Sequence, residues 1–189
     1  MRTDLFLMGS KSKPQTSDLD SRIKEIKLLL MDYDGVLTDG QFEILENGDE
    51  RKSFNARDGQ GISLFQRAGG KTGIISGRTS TAVARHAQDH KMAYLRQHAK
   101  VKINALEEIL IEANVLPNEC AFIGDDLADI PIMQRVGFAV AVADAVAETK
   151  QAAHYVTQLK GGCGAVREVT DLILKTQGRW DELVKRFGL

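Results

Sequence analysis

Acidic and hydroxyl side chains follow three apolar runs of the sequence, at the point where each run ends. Asp32 and Asp34 follow the first run, Ser76 follows the second, and Asp125 follows the third. Because ligands bind at the carboxyl ends of parallel strands, we expect these side chains to lie together. Carboxylates that approach one another without a cation repel, and hard oxygen ligands favour Mg²⁺. The pattern therefore predicts a Mg²⁺ site that suits phosphoryl transfer.

Each member of this set also has a purely structural interpretation. Asp34 and Gly35 form a common turn pair, and Ser76 could cap the helix that follows it. Lys102 is a candidate for neutralising phosphate charge, but Lys100 is two residues away and either lysine could be a solvated helix residue. What favours chemistry over these alternatives is that the whole set occurs in order along one chain.

The elements that must position these residues form an alternating series. From Ile26 onward, short apolar runs alternate with amphipathic stretches, which is typical of a parallel sheet covered by helices on both faces. We therefore predict a doubly wound α/β domain with five or six parallel strands. The predicted strands are residues 26–31, 71–75, 93–95, 120–123, 138–142 and 154–157. The predicted helices are residues 59–68, 79–90, 100–114, 127–135, 146–152 and 165–177.

One segment breaks this alternation just after the first strand. An Asn47-Gly48 turn lies between two strand-like arms, which predicts a β-hairpin over residues 40–55. The length of 189 residues fits a single domain. The predicted divisions are a mobile N-terminal tail at 1–22 with a short helix near 18–24, the domain at 23–178, and a C-terminal tail without an assigned role at 179–189.

The composition favours a small-molecule partner. The net charge is −1 and the pI is near 6.4, with Lys and Arg scattered among acids, so we expect no nucleic-acid or anionic-membrane partner. The N-terminal apolar run is too short for a signal peptide, and no later run reaches membrane-spanning length. Cys120 and Cys163 lack partners at metal-ligand spacing and read as free thiols in a reducing compartment. The expected location is the cytoplasm.

The ordered set resembles the four motifs of the haloacid dehalogenase superfamily. Asp32-x-Asp34 resembles the first motif, Ser76 the second, Lys102 the third, and Gly124-Asp-Asp-x-x-Asp129 the fourth. The resemblance implies the Rossmann-like fold of that superfamily and a Mg²⁺-dependent phosphatase. It also implies that Asp32 attacks phosphorus to give an aspartyl-phosphate, while Asp34 protonates the leaving alcohol and then activates water. Ser76 and Lys102 are implied to assist by binding the phosphate.

The same resemblance implies a set of metal ligands. Asp32, the backbone carbonyl of Asp34 and Asp125 would hold the Mg²⁺. Asp126 and Asp129 are expected to orient Asp125 without touching the metal. Capping of the following helix is the alternative role for these two residues.

Many members of the superfamily carry a cap domain, for which this chain leaves no room between Thr38 and Ser76. With residues 32–40, 54–59, 124–126 and 161–168, this capless plan resembles the family of 3-deoxy-D-manno-octulosonate 8-phosphate (KDO 8-phosphate) phosphatases. The resemblance implies hydrolysis of KDO 8-phosphate to KDO and inorganic phosphate in lipopolysaccharide precursor biosynthesis. It also implies a homotetramer whose hairpins meet centrally and whose C-terminal tails can reach neighbouring sites.

The resemblance further implies a set of substrate contacts. A sugar-acid phosphate brings a carboxylate and hydroxyls, which Arg and Asn side chains can bind. An arginine of the family falls on His86, with Arg85 adjacent, and either side chain could replace it. The alternatives are a surface ion pair between Arg57 and Asp58 and a solvated His86. The implied substrate-binding residues are Asp34, Asn55, Ala56, Arg57, Asp58, Gly59, Arg78, His86 and Lys102.

Two other functions stay open at the level of sequence. A phosphatase for KDN 9-phosphate or N-acylneuraminate 9-phosphate would share the capless plan and the core motifs, although residues 161–168 favour the eight-carbon substrate. A non-catalytic oligomerisation module is the alternative of a different class. That alternative predicts loss of Asp34, Lys102 or Asp125, and all three are present.

Overall fold

The computed structural model describes residues 16–48 and 50–188. It contains a six-stranded parallel sheet flanked by helices and a separate two-stranded hairpin, which confirms the predicted doubly wound α/β fold. The strands are β1 (Leu28–Met31), β2 (Glu43–Ile44), β3 (Glu50–Arg51), β4 (Lys71–Ile75), β5 (Tyr94–Arg96), β6 (Cys120–Gly124), β7 (Phe138–Ala141) and β8 (Tyr155–Val156). The helices are α1 (Thr16–Lys24), α2 (Ala56–Arg67), α3 (Thr81–Asp89), α4 (Lys102–Ala113), α5 (Ile130–Met133), α6 (Ala147–Ala152), α7 (Ala165–Thr176) and α8 (Trp180–Lys185).

The strand order of the large sheet is β5-β4-β1-β6-β7-β8. From β1 the chain adds β4 and β5 on one side and then returns to add β6, β7 and β8 on the other, so the winding reverses between β1 and β6. In open α/β sheets, this reversal forms the ligand crevice at the carboxyl ends of the strands. The register pairs Met31 with Ile74 and with Ile123. The residues that follow these three positions therefore emerge side by side at one edge.

Strand β1 lies at the centre of the sheet because its side chains are apolar on both faces. All four residues of the strand are fully buried, as expected for a strand covered by helices on both sides. Its ladder continues one residue further, since the Asp32 N–H donates to the Ile123 carbonyl at 2.9 Å. The backbone of Asp32 is therefore anchored by the core of the sheet.

The predicted hairpin is present after β1. Strands β2 and β3 pair antiparallel, with Glu43 opposite Arg51 and Ile44 opposite Glu50. Between β1 and β4, the described residues form only this hairpin and α2 as regular elements. No cap domain lies in that described part of the chain, in agreement with the capless plan.

Both ends of the described chain are helical and pack on the domain. Ile23 of α1 is fully buried, and the side-chain amide of Gln177 donates to the Ile26 carbonyl at 2.8 Å. Val184 of α8 is also buried. Helices thus occupy part of both predicted tails, and residues 1–15 of the N-terminal tail lie outside the described residues.

Helix α2 and helix α7 pack closely on one face of the sheet. Gly61 of α2 lies against Thr170 and the backbone of Arg167, so a side chain at position 61 would collide with α7. The buried positions of α7 recur every three or four residues, as expected for an amphipathic helix. None of the helices in the described part of the chain combines the length and apolar character needed to cross a membrane.

Candidate active site

A buried ion-pair network occupies the sheet edge where β1 ends. The Lys102 Nζ, on the first residue of α4, lies 2.8 Å from Asp32 Oδ2 and 2.7 Å from Asp129 Oδ1. Lys102 is 6% exposed, whereas Lys100 is exposed, so Lys102 is the lysine that faces the site. Burial alone would lower the pKa of Lys102, but the two carboxylates outweigh it and raise this pKa above its ordinary value. The ammonium therefore stays charged beside Asp32.

Asp129 and Asp126 have different contacts. Asp129 is fully buried, and its Oδ2 accepts the backbone N–H groups of Asp125 at 3.0 Å and of Asp126 at 3.3 Å. Asp126 is exposed, and its Oδ1 accepts the Leu127 N–H at 2.7 Å, which caps a short 3-10 turn. The geometry gives Asp129 the contacts of an orienting residue and Asp126 those of a cap.

Three carboxylates at this edge form a candidate metal site. Asp32, Asp125 and Asp129 each offer an oxygen within 4.8 Å of the others. The Oδ1 of Asp125 is buried and has no hydrogen-bond partner among the described residues. Burial and the charges of Asp32 and Asp129 raise the pKa of Asp125 to about 8, and burial raises the pKa of Asp32 to about 6 despite Lys102. One ammonium does not balance three carboxylates, so the donor set fits a hard divalent cation such as Mg²⁺. We name Asp32, Lys102, Asp125 and Asp129 the sheet-edge cluster.

Glycines bring neighbouring loops against this cluster. Gly35 has φ +88°, and a side chain at this position would collide with the Asp125 carboxylate. On the other side, Gly161 lies against the Gly35 backbone, and the Gly162 N–H donates to the Val36 carbonyl at 2.9 Å. The glycine loop before α7 therefore packs on the loop that carries Asp34 in the same chain.

Ser76 lies at the same edge, directly after β4. It is 2% exposed, and its Oγ accepts the Arg78 N–H at 3.3 Å. The residue at the N-cap of α3 is Ser80, so Ser76 does not cap that helix. In the described part of the chain its hydroxyl donates no hydrogen bond, so it can donate one to a bound ligand.

Asp34 faces the hairpin rather than the sheet-edge cluster. Its Oδ1 lies 2.5 Å from the Nζ of Lys52, and that Nζ lies 3.5 Å from Oε2 of Glu50. Arg78 pairs with the same Glu50, and its Nε lies 3.9 Å from Asp34 Oδ2. These four side chains, which we name the hairpin quartet, contain two positive and two negative charges. The quartet links the Asp34 loop, the hairpin and the loop after β4.

Sequence reasoning missed two members of the quartet, Glu50 and Lys52. They are two residues apart, so their side chains lie on the same face of an extended segment, and this spacing was the available signal. The ring of Phe42 lies against the two cations of the quartet, with its centroid 4.2 Å from Arg78 Cζ and 5.3 Å from Lys52 Nζ. The hairpin therefore folds over Asp34 and contributes charges to the site.

The residues at the start of α2 were predicted to contact substrate, and they differ in where their side chains lie. The Asn55 side chain caps α2 by accepting the Arg57 N–H at 2.9 Å. Ala56 and Arg57 are exposed, and Arg57 lines a groove with Arg167 and Lys175. The structure therefore does not bring Arg57 to the quartet, whereas Asn55 lies at the base of the hairpin with its side-chain oxygen engaged by the helix.

Asp58, a predicted substrate contact, lies with its carboxylate against the start of α7. Asp58 is 1% exposed and accepts the N–H groups of Gly164 at 3.2 Å and Arg167 at 2.8 Å. Its carboxylate thus joins α2 to the first turn of α7, where partial positive charge stabilises an acid. Gly59 is buried against the ring of His90 and presents no side chain. The alternative of a surface ion pair with Arg57 is wrong because Asp58 is buried, whereas a substrate contact of Asp58 stays a prediction.

His86 lies in an aromatic cluster under the hairpin. Its ring centroid is 4.2 Å from that of Phe54, 4.5 Å from that of His90 and 6.2 Å from that of Tyr33. Burial lowers the pKa of His86 to about 4, and its Nε2 has no hydrogen-bond partner in the described chain. Arg85 is exposed and forms an i,i+4 ion pair on its own helix. The interpretation of His86 as a solvated residue is therefore wrong, and neither side chain brings a positive charge inward.

Comparisons with known proteins match most of the chain. The haloacid dehalogenase-like hydrolase family matches residues 95–168. The 3-deoxy-D-manno-octulosonate 8-phosphate phosphatase of Escherichia coli K12 is 41% identical over 169 residues, which cover 89% of this chain and 90% of that protein.

Two solved structures extend the similarity to three dimensions. The structure of the 3-deoxy-D-manno-octulosonate 8-phosphate phosphatase from Yersinia pestis has a TM-score of 0.85 and 42% identity, and covers 87% of this chain and 89% of that one. The enzyme of the same name from Moraxella catarrhalis, in complex with magnesium, phosphate and KDO, has a TM-score of 0.89 and 35% identity. That match covers 92% of this chain and 99% of the other.

Proposed function

Because this chain belongs to the family of KDO 8-phosphate phosphatases in the haloacid dehalogenase superfamily, we propose that it hydrolyses KDO 8-phosphate to KDO and inorganic phosphate. It is a Mg²⁺-dependent phosphomonoester hydrolase. The observation that carries the proposal is the sheet-edge cluster, in which Lys102 pairs with Asp32 beside the Asp125 carboxylate. The roles of individual residues in the two steps below are part of this proposal.

In the first step, Asp32 acts as the nucleophile. One of its carboxylate oxygens attacks phosphorus, the bond from phosphorus to the sugar oxygen breaks, and a proton held by Asp34 passes to that oxygen. Lys102 offsets negative charge as the phosphate approaches, and the Ser76 hydroxyl donates to a phosphate oxygen. Mg²⁺, held by Asp32, the Asp34 carbonyl and Asp125, supplies further charge compensation when bound.

In the second step, the acid of the first step acts as a base. The Asp34 carboxylate takes a proton from water, and the water oxygen attacks the phosphorus of the aspartyl-phosphate. Asp32 leaves as a carboxylate, and inorganic phosphate departs. The sum is one ester and one water converted to one alcohol and one phosphate, with Asp34 again carrying a proton.

Recognition of the sugar acid falls mainly to Arg78. This guanidinium lies beside Asp34 and its side chain is 48% exposed, so an incoming carboxylate can reach it. Because His86 is neutral and Arg85 points outward, neither replaces a guanidinium in binding that carboxylate. Lys102 is the second proposed contact, on the phosphate side of the substrate.

The proposed assembly is a cytoplasmic homotetramer in lipopolysaccharide precursor biosynthesis. The support in this chain is the hairpin, where Ile44 is 72% exposed and Phe42 and Phe54 are partly exposed. Contact between hairpins would bury these apolar side chains. Light scattering of the purified protein should give the mass of four chains, and Ile44→Lys should lower that mass. A monomeric wild-type protein would contradict the assembly.

Phosphate release from several esters tests the proposed function. KDO 8-phosphate, KDN 9-phosphate and common sugar phosphates are compared with Mg²⁺ and again with EDTA. Selective turnover of KDO 8-phosphate that EDTA abolishes is the expected result. Preference for the nine-carbon ester would overturn the substrate, and no metal-dependent release from any ester would overturn the activity.

A further inference from the structure

Lys52 has no exposed side-chain surface although it sits on a hairpin of two-residue strands. Its Nζ contacts Asp34 at 2.5 Å and Glu50 at 3.5 Å, and the rings of Tyr33 and Phe42 lie 5.2 Å and 5.3 Å from it. Lysine is almost never fully buried unless it is paired, because removing an ammonium from water costs several kcal/mol. A lysine with no role beyond solubility would extend into water instead.

The neighbouring residue shows the ordinary behaviour of this hairpin. Arg51 pairs with Glu43 at 3.1 Å across the two strands, and their side chains are 67% and 70% exposed. Because successive side chains alternate along an extended chain, Arg51 faces outward and Lys52 faces Asp34. One hairpin therefore carries an exposed ion pair and a buried one, which provides a matched control.

The burial of Lys52 separates it from the substrate. An incoming sugar acid meets Arg78, which is 48% exposed, whereas the Lys52 side chain is 0% exposed. Of the two Asp34 oxygens, Oδ1 is held by Lys52 and the buried Oδ2 has no hydrogen-bond partner in the described residues. Oδ1 is thus anchored, while Oδ2, which lies 3.9 Å from Nε of the half-exposed Arg78, can exchange a proton with a substrate that reaches this guanidinium.

We propose that Lys52 is a positioning residue that holds Oδ1 of Asp34 so that Oδ2 faces first the leaving oxygen and then the attacking water. This inference rests on the proposed function and deepens it. Glu50 supports the arrangement by pairing with both Lys52 and Arg78. The hairpin is then part of the acid–base machinery and not merely a surface for assembly.

Substitution of Lys52 tests this role on the full chain with saturating Mg²⁺. Lys52→Met removes the charge at similar length, Lys52→Arg restores it, and Arg51→Met is the control. We expect Lys52→Met to lower kcat for KDO 8-phosphate about 30- to 100-fold with less than about a threefold change in KM, since misplacement of an acid–base group costs about 100-fold. Lys52→Arg should recover part of the loss, and Arg51→Met should stay within about twofold of wild type.

Comparison of two leaving groups distinguishes a positioning role from a merely structural one. Nitrophenolate departs without a proton, so the burst of nitrophenol from p-nitrophenyl phosphate should slow much less in Lys52→Met than turnover of KDO 8-phosphate. Mg²⁺ affinity, measured by calorimetry, should be unchanged because Lys52 contacts the side chain of Asp34, whereas the proposed metal ligands are the Asp34 backbone carbonyl, Asp32 and Asp125. Lys52→Gln serves the same comparison if the methionine variant does not fold.

Three results would overturn the positioning role. They are an unchanged kcat in folded Lys52→Met, an equal loss in Arg51→Met, and a rise in KM alone, which would make Lys52 a substrate contact. The proposed function fails separately, if wild type does not hydrolyse KDO 8-phosphate. The role of Lys52 is then decided by comparing how far Lys52→Met slows p-nitrophenyl phosphate with how far it slows the best alkyl ester of the panel.

Discussion

The sheet-edge cluster and the hairpin quartet lie on either side of the Asp32-Tyr33-Asp34 segment, and they are built in opposite ways. The cluster stands on the end of β1, on the segment that follows β6 and on the first turn of α4, next to the hydrophobic core. The quartet takes Glu50 and Lys52 from a hairpin whose strands have two residues each. The proposed nucleophile is held by the core, while the proposed acid–base group is held by side-chain pairing.

Because of this difference, substitutions in the two regions should have different effects on activity and stability. A change in the cluster disturbs buried charges that no solvent can screen, so both activity and stability should respond. The quartet combines the buried Lys52 with Arg78, whose side chain is 48% exposed, so a change at Arg78 should appear in catalysis and substrate choice more than in stability. The following measurements test that separation.

Asp32→Asn should have the largest effect. An amide cannot replace the attacking carboxylate, so we expect phosphate release to fall on the order of 10⁴-fold or more. The fold should persist, because asparagine has the same shape and removes repulsion with Asp129. Phosphate assays and thermal melts check this, with Asp39→Asn as an exposed control. Activity comparable to wild type would refute the nucleophile.

Lys102→Met should be the most destabilising change in the cluster. It leaves the Asp32 and Asp129 carboxylates buried without their cation, which costs about 3–5 kcal/mol for a broken buried pair. Lys100→Met removes an exposed lysine from the same segment and should change the free energy of unfolding by less than about 0.5 kcal/mol. Urea unfolding measures both variants, and equal midpoints would contradict the comparison.

Arg78→Met should lower activity only on substrates that carry a carboxylate, unlike changes in the sheet-edge cluster. We expect kcat/KM for KDO 8-phosphate to fall about 30-fold, or about 2 kcal/mol, because a charge-assisted hydrogen bond to the substrate carboxylate is lost. p-Nitrophenyl phosphate carries no carboxylate and should lose little. Similar losses on both esters would place Arg78 in the chemistry common to all substrates.

Metal removal should expose the repulsion within the cluster. The pKa of Asp125, at about 8, and that of Asp32, at about 6, lie above the ordinary value of 3.8, so the folded state binds more protons than the unfolded state. In the EDTA-treated protein, the contribution of these two groups to the free energy of unfolding should therefore be fully present below about pH 4. It should be lost as the pH rises towards 8.

Addition of Mg²⁺ should reverse that loss. Mg²⁺ at ten times its Kd should stabilise the fold by about 1.4 kcal/mol at pH 8, as measured by urea unfolding. In Asp125→Asn the pH dependence should weaken and the gain with Mg²⁺ should shrink. A gain that is equal in wild type and variant would remove Asp125 from the metal site.

The exposed pair on the hairpin should have the smallest effect of all. Arg51→Met should change the free energy of unfolding by less than about 0.5 kcal/mol, because its ion pair with Glu43 is solvated. Thermal melts at low and high salt check this. A loss comparable to that of Lys102→Met would show that the hairpin is as integral to the core as β1.

The sheet-edge cluster could be predicted from the sequence because its residues follow buried strands, which the apolar runs reveal. The strand predicted at residues 71–75 matches β4, and Asp32, Ser76 and Asp125 emerge together because the register aligns their strands. The choice of Lys102 over Lys100 agrees with the helix boundary, which places Lys102 at the start of α4. The predicted helix over 127–135 is shorter, since a 3-10 turn occupies its first residues and α5 ends at Met133.

The hairpin quartet could not be predicted from the sequence in the same way. A strand of two residues is too short for alternation to reveal which face turns inward, and that face depends on how the hairpin folds back on the domain. The contacts of Asp58 also depend on tertiary structure. Its motif suggested a substrate contact, whereas its partners lie more than a hundred residues away in α7.

The hydrogen bond from the Gly162 N–H to the Val36 carbonyl has a consequence for how the enzyme comes into being on the ribosome. The loop bearing Asp34 is made early, but the glycine segment that packs on it is translated among the last residues of the domain. Such long-range contacts form late, because loop closure must precede them. Nascent chains that end before residue 162 should therefore contain every proposed catalytic side chain and still lack a finished Asp34 loop.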